Sequence, residues 1–498
     1  MPGGYDALSF VRVLHDWPVS TARALLRKAH AALVPGEAGP RTRTRASALG
    51  VVRPLPEIAT PGVRQMPPGE GRAGGDRAGS MSGMETLDLA RLQFAVTSGA
   101  HFLFVALTLG LATVLAVMQT RATLKRSDTH MRMTRFWGRL YVINYAMGIL
   151  TGLVMEFQLG MAWSGLTHFA GNVFGASLAM ETLVAFFIES TFLGLWIFGW
   201  DRLNRWAHLG VIWVVTITAY ASAYWVLVAN GFLQNPVGAE VVDGALRLTD
   251  ATAVLANSDA LLPFAHILSG ALVVAGFFLA GVSAYHLRRG TAEQEFFRRS
   301  LRIGVFITLP ALLANAAFGG VQFPSLQPMK RAVFAGREAE IAQLQAEMVT
   351  TYGPGDYIPP TAPTQAGAMI MLGVFTVLLL VSGLSVLLAL FRRTVPGVRA
   401  WYLLLIAMIP LPFVSMIAGW VFREVGRQPW MVNGLLKTED ALSDMSPGTI
   451  WFSLIAFTTL SVLLVAVNTW ILARSARQGP EAPATGSAPA EPTPVLAF

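Results

Sequence analysis

The chain has 498 residues, 54% of them hydrophobic and only 13% charged, with a mean hydropathy of +0.53. That balance excludes a soluble globule and fits a polytopic membrane protein, and the net charge of +8 sits in a tail and short loops rather than on a nucleic-acid-binding face. No cysteine is present, which excludes disulfides, thiolate metal sites, iron–sulfur clusters and covalent c-type haem and leaves nitrogen, carboxylate and thioether as metal donors.

Residues 1–80 carry eleven Lys or Arg against six Asp or Glu, are rich in Pro and Gly, and hold no apolar run long enough for a signal peptide. Residues 1–83 therefore read as a disordered basic extension, or as a segment lying before a true start at Met81 or Met84. Nine apolar runs follow, at about Phe94–Val117, Leu140–Met155, Phe174–Trp200, Leu209–Leu233, Leu261–Ala284, Ile303–Val321, Ala368–Phe391, Trp401–Val421 and Ile450–Ala473. Each is long enough to cross a hydrocarbon core of about 30 Å as a helix, and none alternates with the period of a barrel strand. The expected fold is an all-α polytopic bundle of nine transmembrane helices over 84–475, with a long loop at 322–364 and a disordered tail at 476–498.

Loop charges orient the bundle. Arg121, Lys125, Arg126, Arg132, Arg135 and Arg139 follow the first run, Arg202 and Arg205 the third, and Arg288, Arg289, Arg298, Arg299 and Arg302 the fifth. Arg392, Arg393 and Arg399 follow the seventh, and Arg474 and Arg477 the ninth, whereas Met161–Gly175 has no Lys or Arg and the connection after the fourth run has only Arg247. Positive loops stay in the cytoplasm, so odd-numbered helices run inward, the C-terminal tail is cytoplasmic, and the 322–364 loop faces outward.

Ionisable and metal-binding side chains within such helices need a reason to be there. The run GWVFREVGRQPW, Gly419 to Trp430, places Glu424 and Arg427 where an apolar helix ends. His101 lies inside the first run, and Glu181 and Glu189 share the third, eight residues apart, a rise of about 12 Å with roughly 80° of rotation that sets them on neighbouring faces. His266 opens the fifth and Met371 the seventh. A His with a Met suits a low-spin haem of raised potential, and on this topology the donors converge at one depth near the outer face. Glu189, deeper than Glu181, stands where a proton relay would begin.

The segments ARLQFAVTSGAHFLF, FWGRLYVINYAMGILTGLVMEFQLGMAWS, FGASLAMETLVAFFIESTFLGLWIFGWDRL, WVLVANGFLQNPVG and GWVFREVGRQPW, lying within Met84–Ala473, resemble subunit I of cytochrome bd quinol oxidases. The resemblance implies a haem-binding nine-helix subunit of a bacterial respiratory oxidase in the cell membrane, carrying two haems b and a haem d or third haem b. It implies His101 and Glu181 as ligands or close neighbours of one high-spin haem, Glu424 as ligand of the other, and His266 with Met371 as the axial pair of the low-spin haem b. Glu189 resembles the carboxylate of the cytoplasmic proton path. On the same resemblance Arg427 would stabilise a haem propionate or the charge of reduced oxygen species, or would simply pair with Glu424. Asn230, Gln234 and Asn235 match family positions but also suit helix capping.

Implied partners are subunit II, small single-helix subunits, membrane quinol and oxygen, with no nucleic acid. The departures concern the donor: LQPMKRAVFAG keeps Lys330 for quinol but has Ala335 where the family carries a Glu, Met369 replaces an Arg, and Gly320 an Asp. A related oxidase fed by another donor, a haem-free proton-coupled transporter and a non-catalytic assembly subunit are the alternative readings.

Overall fold

A computed structural model describes residues 75–391 and 399–480; the extension before residue 75, Arg392, Arg393 and the tail from 481 lie outside the described residues. Nine helices among the described residues are long and apolar enough to cross a membrane. They are Thr86–Lys125, Asp128–Ala162, Ser164–Phe198, Arg205–Gln234, Ala251–Arg288, Gln294–Ser325, Thr361–Leu390, Arg399–Val425 and Pro447–Gln478, here spans one to nine, and each overlaps one expected run, with the third and seventh runs reaching just past the C-terminal ends of their spans. Polar turns of helix extend most runs at both ends, because backbone hydrogen bonding continues past the point where hydropathy falls.

Span three departs furthest from expectation. Trp163 alone separates it from span two, where the sequence suggested a connection from Met161 to Gly175. Ser164–Ala170 is polar enough to escape a hydropathy window, yet it buries Leu166 and Ala170 and stays helical. Two wider π-helical stretches, Gly171–Gly175 and Glu181–Phe186, then interrupt the α-helix. Span eight is also broken, into Arg399–Ala407 and Leu411–Val425, where Pro410 and Pro412 withhold backbone donors.

Spans five and one are the most enclosed by the rest of the chain. Small residues permit this in span five: a Cβ on Gly304 of span six would stand 2.5 Å from the Gly276 carbonyl oxygen, so only glycine lets these two backbones meet. At one end of the bundle the basic segments are tied together. Arg132 pairs with Glu293 at 2.7 Å, Arg139 donates to the Gly479 carbonyl at 3.0 Å, and Arg135 stacks over Trp200 at 4.7 Å. Ends that charge counting assigned to one side of the membrane thus meet on one side of the protein.

Two antiparallel hairpins cover the opposite end. Ala239–Val242 pairs with Ala245–Leu248 through an Asp243-Gly244 turn whose residues both have positive φ, as the favoured two-residue hairpin turn requires. Trp430–Val432 pairs with Leu436–Lys437, and Asn433 donates its backbone N–H to the Leu233 carbonyl at 3.0 Å, docking the hairpin on span four. Between spans six and seven the loop folds into helices Pro328–Ala335 and Glu338–Tyr352. Its Tyr352 and Tyr357 pack on Trp430, with ring centroids 4.9 and 5.7 Å away.

Candidate functional site

Six histidines lie among the described residues, and their hydrogen bonds separate scaffold from candidate ligands. His208 spends both ring nitrogens, one on Gln119 and one on the Trp196 carbonyl, each at 2.9 Å. His286 binds the Ala476 carbonyl and stacks on Phe297. His266 instead places Nδ1 2.9 Å from the Asn315 carbonyl oxygen. A carbonyl only accepts, so Nδ1 carries the hydrogen and Nε2 keeps its lone pair. His101 Nδ1 lies 2.9 Å from Thr151 Oγ1, whose own hydrogen has backbone acceptors at Met147 and Gly148. Nδ1–H therefore donates to Thr151 and Nε2 again remains a Lewis base. Neither Nε2 has a hydrogen-bond partner among the described residues.

His266 and Met371 flank one seam. Gly270 of span five faces the Met416 side chain of span eight. His266 lies four residues outward from Gly270 and Gly419 three residues outward from Met416, rises of about 6 and 4.5 Å, so His266 and Gly419 stand at nearly one level. A Cβ on Gly419 would meet Met371 Sδ at 2.8 Å, and one on Gly319 would meet the His266 ring at 3.1 Å. Glycines thus line both donors, where side chains would crowd them.

Glu424 sits in the last turn of span eight, where the helix dipole disfavours a carboxylate. Its partners offset that. Arg427 donates to Oε2 at 2.7 Å and Asn230 to Oε1 at 2.8 Å, while Arg423 Nε lies 3.8 Å from Oε1 and bonds Asn230 Oδ1 at 2.8 Å. Arg427 also donates to the Met431 carbonyl, so pairing with Glu424 is what its geometry displays. Lys330, buried on the first helix of the outward loop, donates to the Arg423 carbonyl at 3.0 Å and to Gln234 Oε1 at 3.3 Å. Burial, then the nearby Arg423 guanidinium, push its ammonium down from the usual lysine range to about 7, against the opposing pull of Glu424.

Glu181 opens the second π-helical stretch, and its Oε1 accepts from Ser222 of span four at 2.6 Å. The expectation that Glu181 and Glu189 occupy neighbouring faces is corrected by that stretch. A π turn holds one extra residue, so eight residues turn through about the angle of seven, and both carboxylates lie within roughly 20° of one face. Buried Ala185, Glu189, Leu193 and Trp196 mark it. Glu189 is 4% exposed, its Oε1 has no partner among the described residues, and neither has the hydroxyl of buried Tyr141.

The single depth expected for the donors is also corrected. Asn230 and Ser222, which hold Glu424 and Glu181, lie eight residues apart on the uninterrupted α-helix of span four, a separation of about 12 Å along that helix. Glu424 is outermost and Glu181 two turns deeper. Hydropathy locates a residue within a run but cannot set the relative heights of runs whose ends it misplaces.

Imidazoles with a fixed Nδ1–H and a free Nε2, a thioether against glycine, and a cation-rich outer end fit a non-covalent haem protein: Lys330, Arg423 and Arg427 surround one carboxylate, and Arg427 Nε and Gln234 Nε2 are buried donors without partners among the described residues. Such an end suits the anionic edge of a porphyrin. Arg423 and the bridging role of Asn230 were not anticipated. Arg423 stood in plain view beside Glu424, and the bridge requires knowing that spans four and eight touch.

A multi-pass bundle with imidazole, thioether and carboxylate side chains disposed in this way is the frame of a membrane oxidoreductase. The model of the cytochrome bd terminal oxidase subunit I family matches residues 89–354 and 339–480. The chain is 37% identical over 449 residues to cytochrome bd ubiquinol oxidase subunit 1 of Bacillus subtilis, covering 80% of this chain and 95% of that one. It is 32% identical over 504 residues to cytochrome bd-II ubiquinol oxidase subunit 1 of Escherichia coli, covering 80% and 98%. The bd oxidase structure from Geobacillus thermodenitrificans superposes with a TM-score of 0.72 at 25% identity, over 80% of this chain and all of that one. The chain belongs to the cytochrome bd terminal oxidase subunit I family.

Proposed function

We propose that this chain is the haem-bearing subunit of a respiratory terminal oxidase that takes electrons from a membrane quinol and reduces oxygen to water, working with a second large subunit. His266 and Met371 would hold the low-spin haem b, Glu424 one high-spin haem, and His101 with Glu181 the other, two of the three being haem b and the third haem d or b; bound haem would supply electron transfer and oxygen chemistry. Small single-helix subunits are further expected partners.

The chain's own groups have definable tasks in that reading. Asn315 and Thr151 fix the two imidazoles through Nδ1, leaving Nε2 as the atom that would hold a haem iron. Glu189 and Tyr141, buried on the cytoplasmic side of Glu181 with oxygens that have no partner among the described residues, carry protons inward to the oxygen site. Lys330 accepts a quinol proton at the outer face, taking the part that Ala335 cannot, because an amine near pKa 7 is a usable base at neutral pH. Protons taken from the cytoplasm and released outside generate a membrane potential without pumping.

The observation that carries this proposal is the hydrogen bonding of His266, with Met371 at the same seam. In purified complex, His266→Ala and Met371→Leu are each expected to abolish the low-spin haem b bands of the reduced-minus-oxidised spectrum while high-spin bands remain. Both variants keeping those bands would refute the ligand assignment, and a colourless wild-type complex would refute the function. Gly419→Ala gives a graded test: its methyl must displace Met371 Sδ, and the midpoint potential of the low-spin haem should fall because the thioether raises it. An unchanged potential in a redox titration would remove Met371 from the coordination sphere.

A further inference from the structure

Spans one and two meet along a ladder of polar contacts climbing outward from His101. Its rungs are His101 with Thr151 at 2.9 Å, Ser98 donating to Met155 Sδ at 3.4 Å, and Thr97 donating to Gln158 Oε1. One turn further out, Ser453 of span nine donates to Gln93 Oε1 at 2.7 Å. Gln93 and Thr97 are each 1% exposed and Gln158 is 0% exposed. Each amide accepts through oxygen, yet both Nε2 groups are buried and have no acceptor among the described residues.

Two primary amides left this way in an apolar bundle cost about as much as lost hydrogen bonds, and the helix carbonyls around them are committed to their own ladders. Water is the small acceptor that such a place takes, provided it finds two to four polar partners. Partners are on offer: two amide donors, and the oxygens of Thr97 and Ser453, whose hydrogens go to Gln158 Oε1 and Gln93 Oε1 and so leave lone pairs free to receive from water. We infer that spans one, two and nine enclose a bound-water site in which Gln93 and Gln158 donate from Nε2 and Thr97 and Ser453 accept, and that this site hydrates the seam from His101 towards the outer face. Glu189 and Tyr141 lie on the opposite, cytoplasmic side, so this seam is separate from the proton supply. The water site stands independently of the proposed oxidase activity; only the reading that the seam carries product water outward rests on it.

Gln93→Met and Gln158→Met are near-isosteric and strand no hydroxyl, because Thr97 and Ser453 retain backbone acceptors. If water is bound, each variant lowers the melting temperature of the purified complex, and the double variant costs less than the sum, since one shared water is lost once. A dry seam predicts the reverse, because deleting an unsatisfied buried donor is neutral or stabilising. An unchanged or raised melting temperature in both single variants would therefore overturn the site. A high-resolution cryo-EM map of the wild-type complex decides the matter without variants: solvent density within hydrogen-bond distance of both amides is expected, and either continuous side-chain packing or a haem propionate in that position would refute the proposal. Haem spectra of the same samples report on the oxidase reading separately.

Discussion

Replacing Glu424 by alanine is expected to destabilise the purified complex by about 3–5 kcal/mol and to lower oxygen consumption at least about 100-fold, with loss of one high-spin haem from the absorption spectrum. The stability figure follows from what the substitution leaves behind. Arg427 and Arg423 lie against this one carboxylate with side chains 7% and 21% exposed, and Lys330 is buried beside them. Removing the only carboxylate paired with the two arginines among the described residues strands their charge in a low-dielectric end of the bundle, and Asn230 loses the acceptor of its 2.8 Å bond. Glu424→Gln separates charge from ligation: it keeps an oxygen for Asn230 but turns an N–H2 towards Arg427, so the ion pair is lost while the volume is kept. Arg427→Lys should be milder, because Glu424 retains Asn230 and Arg423. Should Glu424→Ala keep its full haem complement while losing stability, the carboxylate is an ion-pair partner and nothing more.

All nine spans were legible in hydropathy and loop charge, because the bilayer imposes length and the basic loops impose direction. Their ends were not. Ser164–Ala170 is helical although polar, and the π-helical stretch at Glu181–Phe186, which turns Glu181 and Glu189 onto one face, leaves no mark in residue spacing. The candidate ligands could be named from residue type and motif, since His, Met and Glu in apolar helices are costly without function. What fixes them could not. Thr151 for His101, Asn315 for His266 and Ser222 for Glu181 are ordinary polar residues whose meaning lies in which helix packs beside them. Arg423 illustrates the same limit at closer range: its side chain reaches Asn230 and the Asp259 carbonyl on two other spans, contacts no local pattern encodes.

Quinol oxidation is expected to rise with pH through about 7 and then level off, with that limb lost in Lys330→Met and Lys330→Arg. The titrating amine is held near 7 by burial and by Arg423 and Arg427, so below that pH it is an ammonium that cannot take a proton, and its basic fraction grows about tenfold per pH unit until it saturates. Methionine has no basic form and arginine stays charged throughout, so both flatten the low-pH limb, whereas loss of packing alone would lower activity at every pH equally. Stability follows the same proton. Between about 7 and the ordinary lysine value near 10.4 the unfolded chain binds a proton that the folded chain does not, so stability should increase with pH across that window in the wild type. Below 7 both forms are protonated and the slope vanishes. In Lys330→Met the contribution disappears at all pH values, and the variant should be the more stable of the two in acid, where the wild type buries a charge. A Lys330→Arg profile that still climbs through 7 would place the titrating group on the quinol or on another residue, and would leave Lys330 as a packing element of the outward loop.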